Sequence, residues 1–186
     1  MLFSGFKILL CLYLSVITGN LNAKTNHWKN FSMSESAKPL DWKNFFEISP
    51  EQRKKLWESS AKGKLGSLHW SWRMAWTKSC SFSNEAYCLK LLKHSLLKDE
   101  VLVVRNEAVM RIGDRFENTQ NADAIKLLEL AYRDQRNTKS GAPLFIQRKI
   151  IDSILKVGGK IGLEKAGELA KTDKKMSEYW KKRSKI

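Results

Sequence analysis

The segment from Asp99 to Phe116 carries apolar residues at the spacing of an α-helix. Plotted at about 100° per residue, one side of that helix collects apolar side chains, namely Val101, Val104, Ala108, Ile112 and Phe116. Such a stripe predicts a helix with one face in a protein core. Arg105 lies near the middle of the stripe, where a charged side chain calls for an explanation.

The same periodicity extends along most of the chain. From Gly63 onward we predict helical segments separated by short polar turns, with the sequences SFSN (81–84), ENTQNAD (117–123), RNTKSGAP (136–143) and VGGK (157–160). A further helix is predicted to begin at Ser49 and Pro50, where Gln52 completes a capping box. No segment has the alternating pattern of a strand, so the predicted fold is all-α.

The apolar stripe recurs along the sequence. When the stripe is moved forward by 42 residues, it again falls on apolar residues, and Arg105 falls on Gln147. When it is moved back by 36 residues, it falls on the segment 65–76, and Arg105 falls on His69. The helices between these segments also align, since 89–96 matches 125–132. Two alternating helix types predict a short stack of about three helical hairpins.

One segment carries a family resemblance. The run DEVLVVRNEAVMRIGD resembles the second helix of a HEAT-type repeat. In that family an acidic residue precedes the helix, followed by Val-Arg, a small residue three positions later and a Gly near the helix end. Those places are taken here by Asp99, Val104, Arg105, Ala108 and Gly113. The resemblance covers roughly residues 65–158, although the match is partial at 143–157 and faint at 65–80.

The resemblance implies a HEAT-like α-solenoid in which Arg105, Gln147 and Asp99 lie between neighbouring repeats. The stem of Arg105 would pack on apolar neighbours while its guanidinium reaches Asp99, Asp134 or the carbonyl end of a helix. The alternative is that Arg105 binds an anionic ligand.

The sequence divides into four predicted regions. Residues 1–23 have the features of a signal peptide, with Lys7 before an apolar run and Ala23 at the cleavage position; the alternative is an uncleaved anchor. Residues 24–48 are predicted to be an extended aromatic lead-in, 49–170 a HEAT-like repeat domain, and 171–186 a basic helix or tail. A signal peptide predicts export to the periplasm or the cell exterior.

The net charge points to an anionic partner. The chain has 34 Lys and Arg against 19 Asp and Glu, a formal charge of +15 at pH 7. In an exported protein we expect the partner to be an acidic protein or a polyanionic envelope polymer, with an anionic membrane surface as the alternative. Nucleic acid is disfavoured because it lies mostly in another compartment. The cations proposed to bind are Lys78, Lys90, Lys93, Arg111, Arg115, Lys181, Lys182 and Arg183.

Two aromatic features could either pack or bind. Trp70 either covers the preceding helix or the lead-in, or forms an exposed platform for a sugar ring or a cation. In 171–186, Met176, Tyr179 and Trp180 fall at helical spacing and predict a short amphipathic helix. That helix would cap the last repeat, lie on an anionic membrane surface or fray in solvent.

Candidate chemistry is sparse. Cys80 and Cys88 flank a Ser-rich turn, which in an exported protein favours a disulfide; the alternative is two buried thiols. Paired metal ligands, HExxH, GxSxG and Gly-rich phosphate loops are absent from the sequence. We therefore predict a non-enzymatic binding protein without a metal or cofactor. The alternative is a hydrolase that depends on His69 or Glu107.

Overall fold

The computed structural model describes residues 31–81, 85–138 and 143–184. Every regular element in these ranges is helical and none is a strand, which confirms the all-α prediction. The predicted signal peptide and the start of the lead-in lie outside the described residues. Within the described ranges, no helix combines the length and apolar character needed to cross a membrane.

The chain divides between His69 and Trp70 into two compact units. The domain predicted over 49–170 therefore spans a boundary between units. The first unit contains α1 (Pro39–Glu47) and α2 (Pro50–Leu56), followed by a π-helical turn (Trp57–Ala61) and a 3-10 turn (Leu65–Ser67).

The lead-in differs from the prediction, because it is helical rather than extended from Pro39 to Glu47. Pro39 occupies the first turn, where a missing N–H is tolerated, and the backbone N–H of Lys38 donates to the Asp41 carboxylate at 2.8 Å. Phe45 is fully buried. The start of α2 confirms the predicted capping box: Gln52 N–H donates to Ser49 Oγ at 3.2 Å, and Ser49 N–H to Gln52 Oε1 at 3.0 Å.

The second unit carries the longer helices. The described residues form α3 (Trp70–Ser79), α4 (Ala86–Lys98), α5 (Leu102–Arg115), α6 (Ala122–Arg133), α7 (Gln135–Thr138), α8 (Pro143–Val157), α9 (Gly159–Ala170) and α10 (Lys174–Arg183). The segment predicted as a turn at 136–143 thus contains most of a one-turn helix, α7. The predicted turn at 157–160 separates α8 from α9, and Gly158 and Gly159 there have φ values of +87° and +70°.

The helices of the second unit alternate between two rows. In one row α3 contacts α5, α5 contacts α8, and α8 contacts α10; in the other α4 contacts α6, and α6 contacts α9. Helices α5 and α8 lie at the centre. Their buried stripes match at the predicted spacing of 42 residues, since Val104 and Ile112 of α5 and Ile146 and Ile154 of α8 are all fully buried.

The predicted spacing of 36 residues for the first helix is wrong. Helix α3 begins at Trp70, which is 32 residues before Leu102 at the start of α5. His69 lies outside α3, and its backbone N–H donates to the carbonyl oxygen of Met33 at 3.0 Å. The residue of α3 that corresponds to Arg105 is therefore Arg73.

Gly113 allows α5 and α8 to approach closely. A Cβ at this position would lie 2.9 Å from Cβ and 3.1 Å from Cα of the buried Ser153. We expect Gly113→Ala to lower the free energy of unfolding by about 1–3 kcal/mol, because the helices must separate. Urea denaturation followed by circular dichroism measures this.

The matched control is Gly167→Ala, also inside a helix, where a Cβ would lie 3.4 Å from the Trp180 ring. Alanine is the better helix former by about 1 kcal/mol, so this variant should be as stable as the wild type or more so. Equal stability of Gly113→Ala and the wild type would contradict the close approach.

Candidate binding surface

Arg105 lies inside the second unit with 3% of its surface exposed. Its Nε donates to Asn137 Oδ1 at 2.7 Å, and its Nη1 donates to the carbonyl oxygens of Asp99 and Glu100 at 2.9 and 2.8 Å. Its Nη2 donates to the carbonyl oxygen of Arg136 at 3.2 Å. Burial lowers the pKa of Arg105, and the nearby Arg136 adds to that effect. The guanidinium thus faces oxygens of its own chain and ties the α4–α5 turn to α7.

Two further residues, which sequence reasoning missed, extend this arrangement. Arg73 of α3 donates to the Asp99 carboxylate through Nε at 2.7 Å and Nη2 at 3.1 Å, while Asp99 also accepts the N–H of Val101 at 2.9 Å. Asn137 is fully buried, and its Nδ2 donates to the carbonyl oxygen of Ala131 at 2.8 Å. We call Arg73, Asp99, Arg105 and Asn137 the polar ladder.

The sequence does indicate that Arg73 is unusual, because Arg73 is a cation in an apolar, Trp-rich segment, just as Arg105 is a cation in an apolar stripe. Asn137 had no such signal. Gln147, predicted to match Arg105, is buried on α8 with 9% of its surface exposed.

Two of the proposed binding cations are engaged within the protein. Arg111 forms ion pairs with Glu107 at 3.0 Å and Asp114 at 2.8 Å, and it donates to Ser81 Oγ at 2.8 Å. Its side chain is only 19% exposed. Arg183 pairs with Asp152 at 3.1 Å. Because nearby carboxylates neutralise these charges, Arg111 and Arg183 are poorly suited to bind a separate anion.

The C-terminal segment is helical and packs on its neighbours. Helix α10 contacts α8 and α9, and Met176 is fully buried. The Tyr179 hydroxyl donates to Asp152 Oδ1 at 2.6 Å, and the Arg148 guanidinium lies 5.2 Å from the Tyr179 ring centre. Burial, with the Asp152 carboxylate, raises the pKa of Tyr179 to about 12. Lys181 and Lys182 at the end of α10 are exposed.

Cys80 and Cys88 are joined by a disulfide that connects the end of α3 to the start of α4. Both cysteines are fully buried. Ser81, beside the bridge, accepts the hydrogen bond from Arg111. No cluster of three or more His, Cys, Asp or Glu side chains that could hold a metal occurs among the described residues.

The remaining proposed binding residues lie at the surface. Lys78 of α3 and Lys90 and Lys93 of α4 are exposed, Arg115 at the end of α5 is partly exposed, and Trp70 is 40% exposed. Like Lys181 and Lys182, Lys90 and Lys93 form no ion pair with any residue that the structure describes. Lys90 and Lys93 share the solvent-facing side of one helix.

A groove of about 490 Å³ runs between α4 and α6 beside these lysines. We call it the α4–α6 groove. Its apolar lining residues are Leu89, Phe116, Ala124, Leu127 and Leu130. Its cationic lining residues are Lys93 and Lys126, and Asn121 and the anionic Asp123 complete the lining. Lys93 was among the predicted binding residues, but the groove was not predicted, because it exists only once α4 and α6 are side by side.

Comparisons with known protein families, with curated proteins and with solved structures found no match for this chain. The resemblance to HEAT repeats therefore depends on the residue pattern around Arg105 alone.

Proposed function

We propose that this chain is a non-enzymatic binding protein that holds an anionic partner on the cationic surface formed by α4 and α6. The observation that carries the proposal is the contrast between two groups of cations. Arg111, Lys156 and Arg183 are neutralised by carboxylates, whereas Lys90 and Lys93 are exposed and form no ion pair with the described residues, and Lys93 lines the α4–α6 groove together with Lys126.

We further propose that the second unit is a short right-handed α-solenoid of the HEAT type. Two observations support this. The helices contact one another in two ordered rows, and the polar ladder places an arginine at corresponding positions of α3 and α5. Repeat scaffolds of this kind create extended concave surfaces that serve for binding.

Export of the protein belongs to the same proposal. The leader-like sequence of residues 1–23 supports it, and so does the disulfide between Cys80 and Cys88, since such bonds persist mainly in oxidising compartments. In that setting the anionic partner would be an acidic protein or a polyanionic envelope component.

The binding surface is tested by removing three of its charges. In the variant Lys90→Gln/Lys93→Gln/Lys126→Gln, we expect the dissociation constant for fluorescein-labelled poly-L-glutamate to rise about tenfold. Exposed ion pairs contribute about 0.5 kcal/mol each, and a tenfold change corresponds to about 1.4 kcal/mol. Fluorescence anisotropy at low and high ionic strength measures the effect, and salt should weaken wild-type binding.

The control variant Lys171→Gln/Lys174→Gln/Lys175→Gln removes the same number of exposed charges from the region of α10. It should bind nearly as well as the wild type. An equal loss in both variants would mean that only net charge matters, and the proposed surface would be rejected. Absence of wild-type binding at low ionic strength would reject the function itself.

A further inference from the structure

The α4–α6 groove has an apolar lining that the binding of a simple polyanion would leave unused. Leu89 is 43% exposed and Leu130 is 51% exposed, and both line the groove with Leu127 and Phe116. Single exposed leucines are common on protein surfaces, whereas apolar residues that share one concavity favour an apolar ligand group. The volume of about 490 Å³ lies in the range of sites that enclose a ligand group.

The two walls of the groove carry the same pair of side chains. On α4, Leu89 is followed four residues later by Lys93; on α6, Lys126 is followed four residues later by Leu130. Residues four apart lie on the same face of a helix, so each wall presents one leucine and one lysine together. Asp123 is the one carboxylate among the groove's lining residues, so cations predominate there.

We propose that the α4–α6 groove receives an acidic amphipathic α-helix of a partner protein, with apolar side chains seated against Leu89 and Leu130 and carboxylates facing Lys93 and Lys126. This inference rests on the proposed function and narrows its anionic partner to one class. The complementary charge of the two lysines selects the acidic partner, and the two leucines select its apolar face.

The form of the partner follows from hydrogen bonding. An extended peptide that buries its backbone in the groove needs hydrogen-bond partners there, and most backbone groups of the α4 and α6 walls are already paired within their own helices. A helical partner satisfies its own backbone and offers only side chains. A bilayer surface fits less well, because the leucines line a concavity that also contains the Asp123 carboxylate.

The test uses a stapled helical peptide with leucines along one face and glutamates elsewhere. A second peptide has alanine in place of every leucine and keeps the same charge. Binding to the full chain is followed by fluorescence anisotropy. We expect Leu89→Ser/Leu130→Ser to weaken binding of the leucine peptide about tenfold or more, as the loss of central apolar contacts does at interfaces. The alanine peptide should bind weakly to the wild type and to the variant alike.

The matched control is Ile161→Ser/Leu163→Ser, which removes two apolar side chains of α9 that are each 49% exposed. It should bind the leucine peptide within about twofold of the wild type, because these residues do not line the groove. Circular dichroism and thermal unfolding check that both variants fold. A second measurement needs no variant: the methyl NMR signals of Leu89 and Leu130 in the wild type should shift when the leucine peptide is added.

Failure of this inference is distinguishable from failure of the proposed function. If both peptides bind equally and only the lysine variant loses affinity, the cationic surface stands and the apolar groove is rejected. If neither the lysine nor the leucine variant differs from its control, both proposals are rejected. Binding of anionic vesicles that is lost in Leu89→Ser/Leu130→Ser, without peptide binding, would overturn the inference in favour of a membrane surface.

Discussion

Replacement of Arg105 by alanine is expected to lower the free energy of unfolding by about 3–5 kcal/mol, because buried acceptor oxygens lose their hydrogen-bond donor. The guanidinium supplies hydrogen bonds to Asn137 Oδ1 and to the carbonyl oxygens of Asp99, Glu100 and Arg136. Without it the buried Asn137 Oδ1 and Asp99 carbonyl oxygen lose their donor, and each unsatisfied buried acceptor costs about 1–3 kcal/mol. Urea denaturation monitored through the helical circular dichroism signal measures the loss.

Two variants separate this role from a general effect of charge. Arg105→Lys keeps the charge but replaces the planar guanidinium with a single ammonium group, so it should recover only part of the lost stability. Arg133→Ala removes an arginine whose side chain is 53% exposed and whose partners are Glu129 and Glu168. Its cost should stay below about 1 kcal/mol. If Arg105→Ala proved no more damaging than Arg133→Ala, the polar ladder would not stabilise the fold.

The core of α5 and α8 was predictable because local pattern and tertiary burial agree there. The stripe around Val104 and Ile112 has helical spacing, and its copy 42 residues later is equally buried. The first helix was misplaced for a specific reason. Leu65 and Leu68 continue the apolar spacing of α3 and are buried, but they lie at a 3-10 turn that precedes the helix. The same apolar spacing occurs in the buried 3-10 turn and in the α-helix that follows it. Spacing alone therefore does not show at which residue α3 begins.

The helix in the lead-in was not predicted, although the sequence contains local signals for it. Pro39 with Asp41 gives a helix start much like that of Pro50 with Gln52, which was recognised. Trp42, Phe45 and Phe46 also have helical spacing. The high content of Asn, Ser and Lys before Pro39 led to the prediction of an extended segment, although those residues lie outside α1.

The binding surface was only partly predictable. Ion pairs between residues close in sequence follow from helical spacing, whereas ion pairs between residues distant in sequence depend on how the helices pack. Arg111 has Glu107 four residues before it and Asp114 three residues after it, so its ion pairs follow from helical spacing alone. Asp152, the partner of Arg183, lies 31 residues away and becomes its neighbour only when α10 packs on α8. The α4–α6 groove likewise requires two helices that are separated in sequence by α5.

Removal of the disulfide by Cys80→Ala/Cys88→Ala is expected to lower the free energy of unfolding by about 2–3 kcal/mol. A bridge across eight residues restricts the unfolded chain, and loop-closure entropy for a loop of this size gives that magnitude. The bridge also holds the end of α3 against the start of α4, next to Ser81, which accepts a hydrogen bond from Arg111.

Urea denaturation with and without a reductant measures this effect, in a Cys11→Ser background that removes the third cysteine of the sequence. The reductant should destabilise the protein that retains Cys80 and Cys88 by about the same 2–3 kcal/mol and leave the double-alanine variant unchanged. Arg133→Ala, which alters an exposed ion pair on α6, should respond to the reductant as its parent does. Two titratable thiols in the unreduced, unfolded protein would contradict the bridge, because a disulfide leaves none to react.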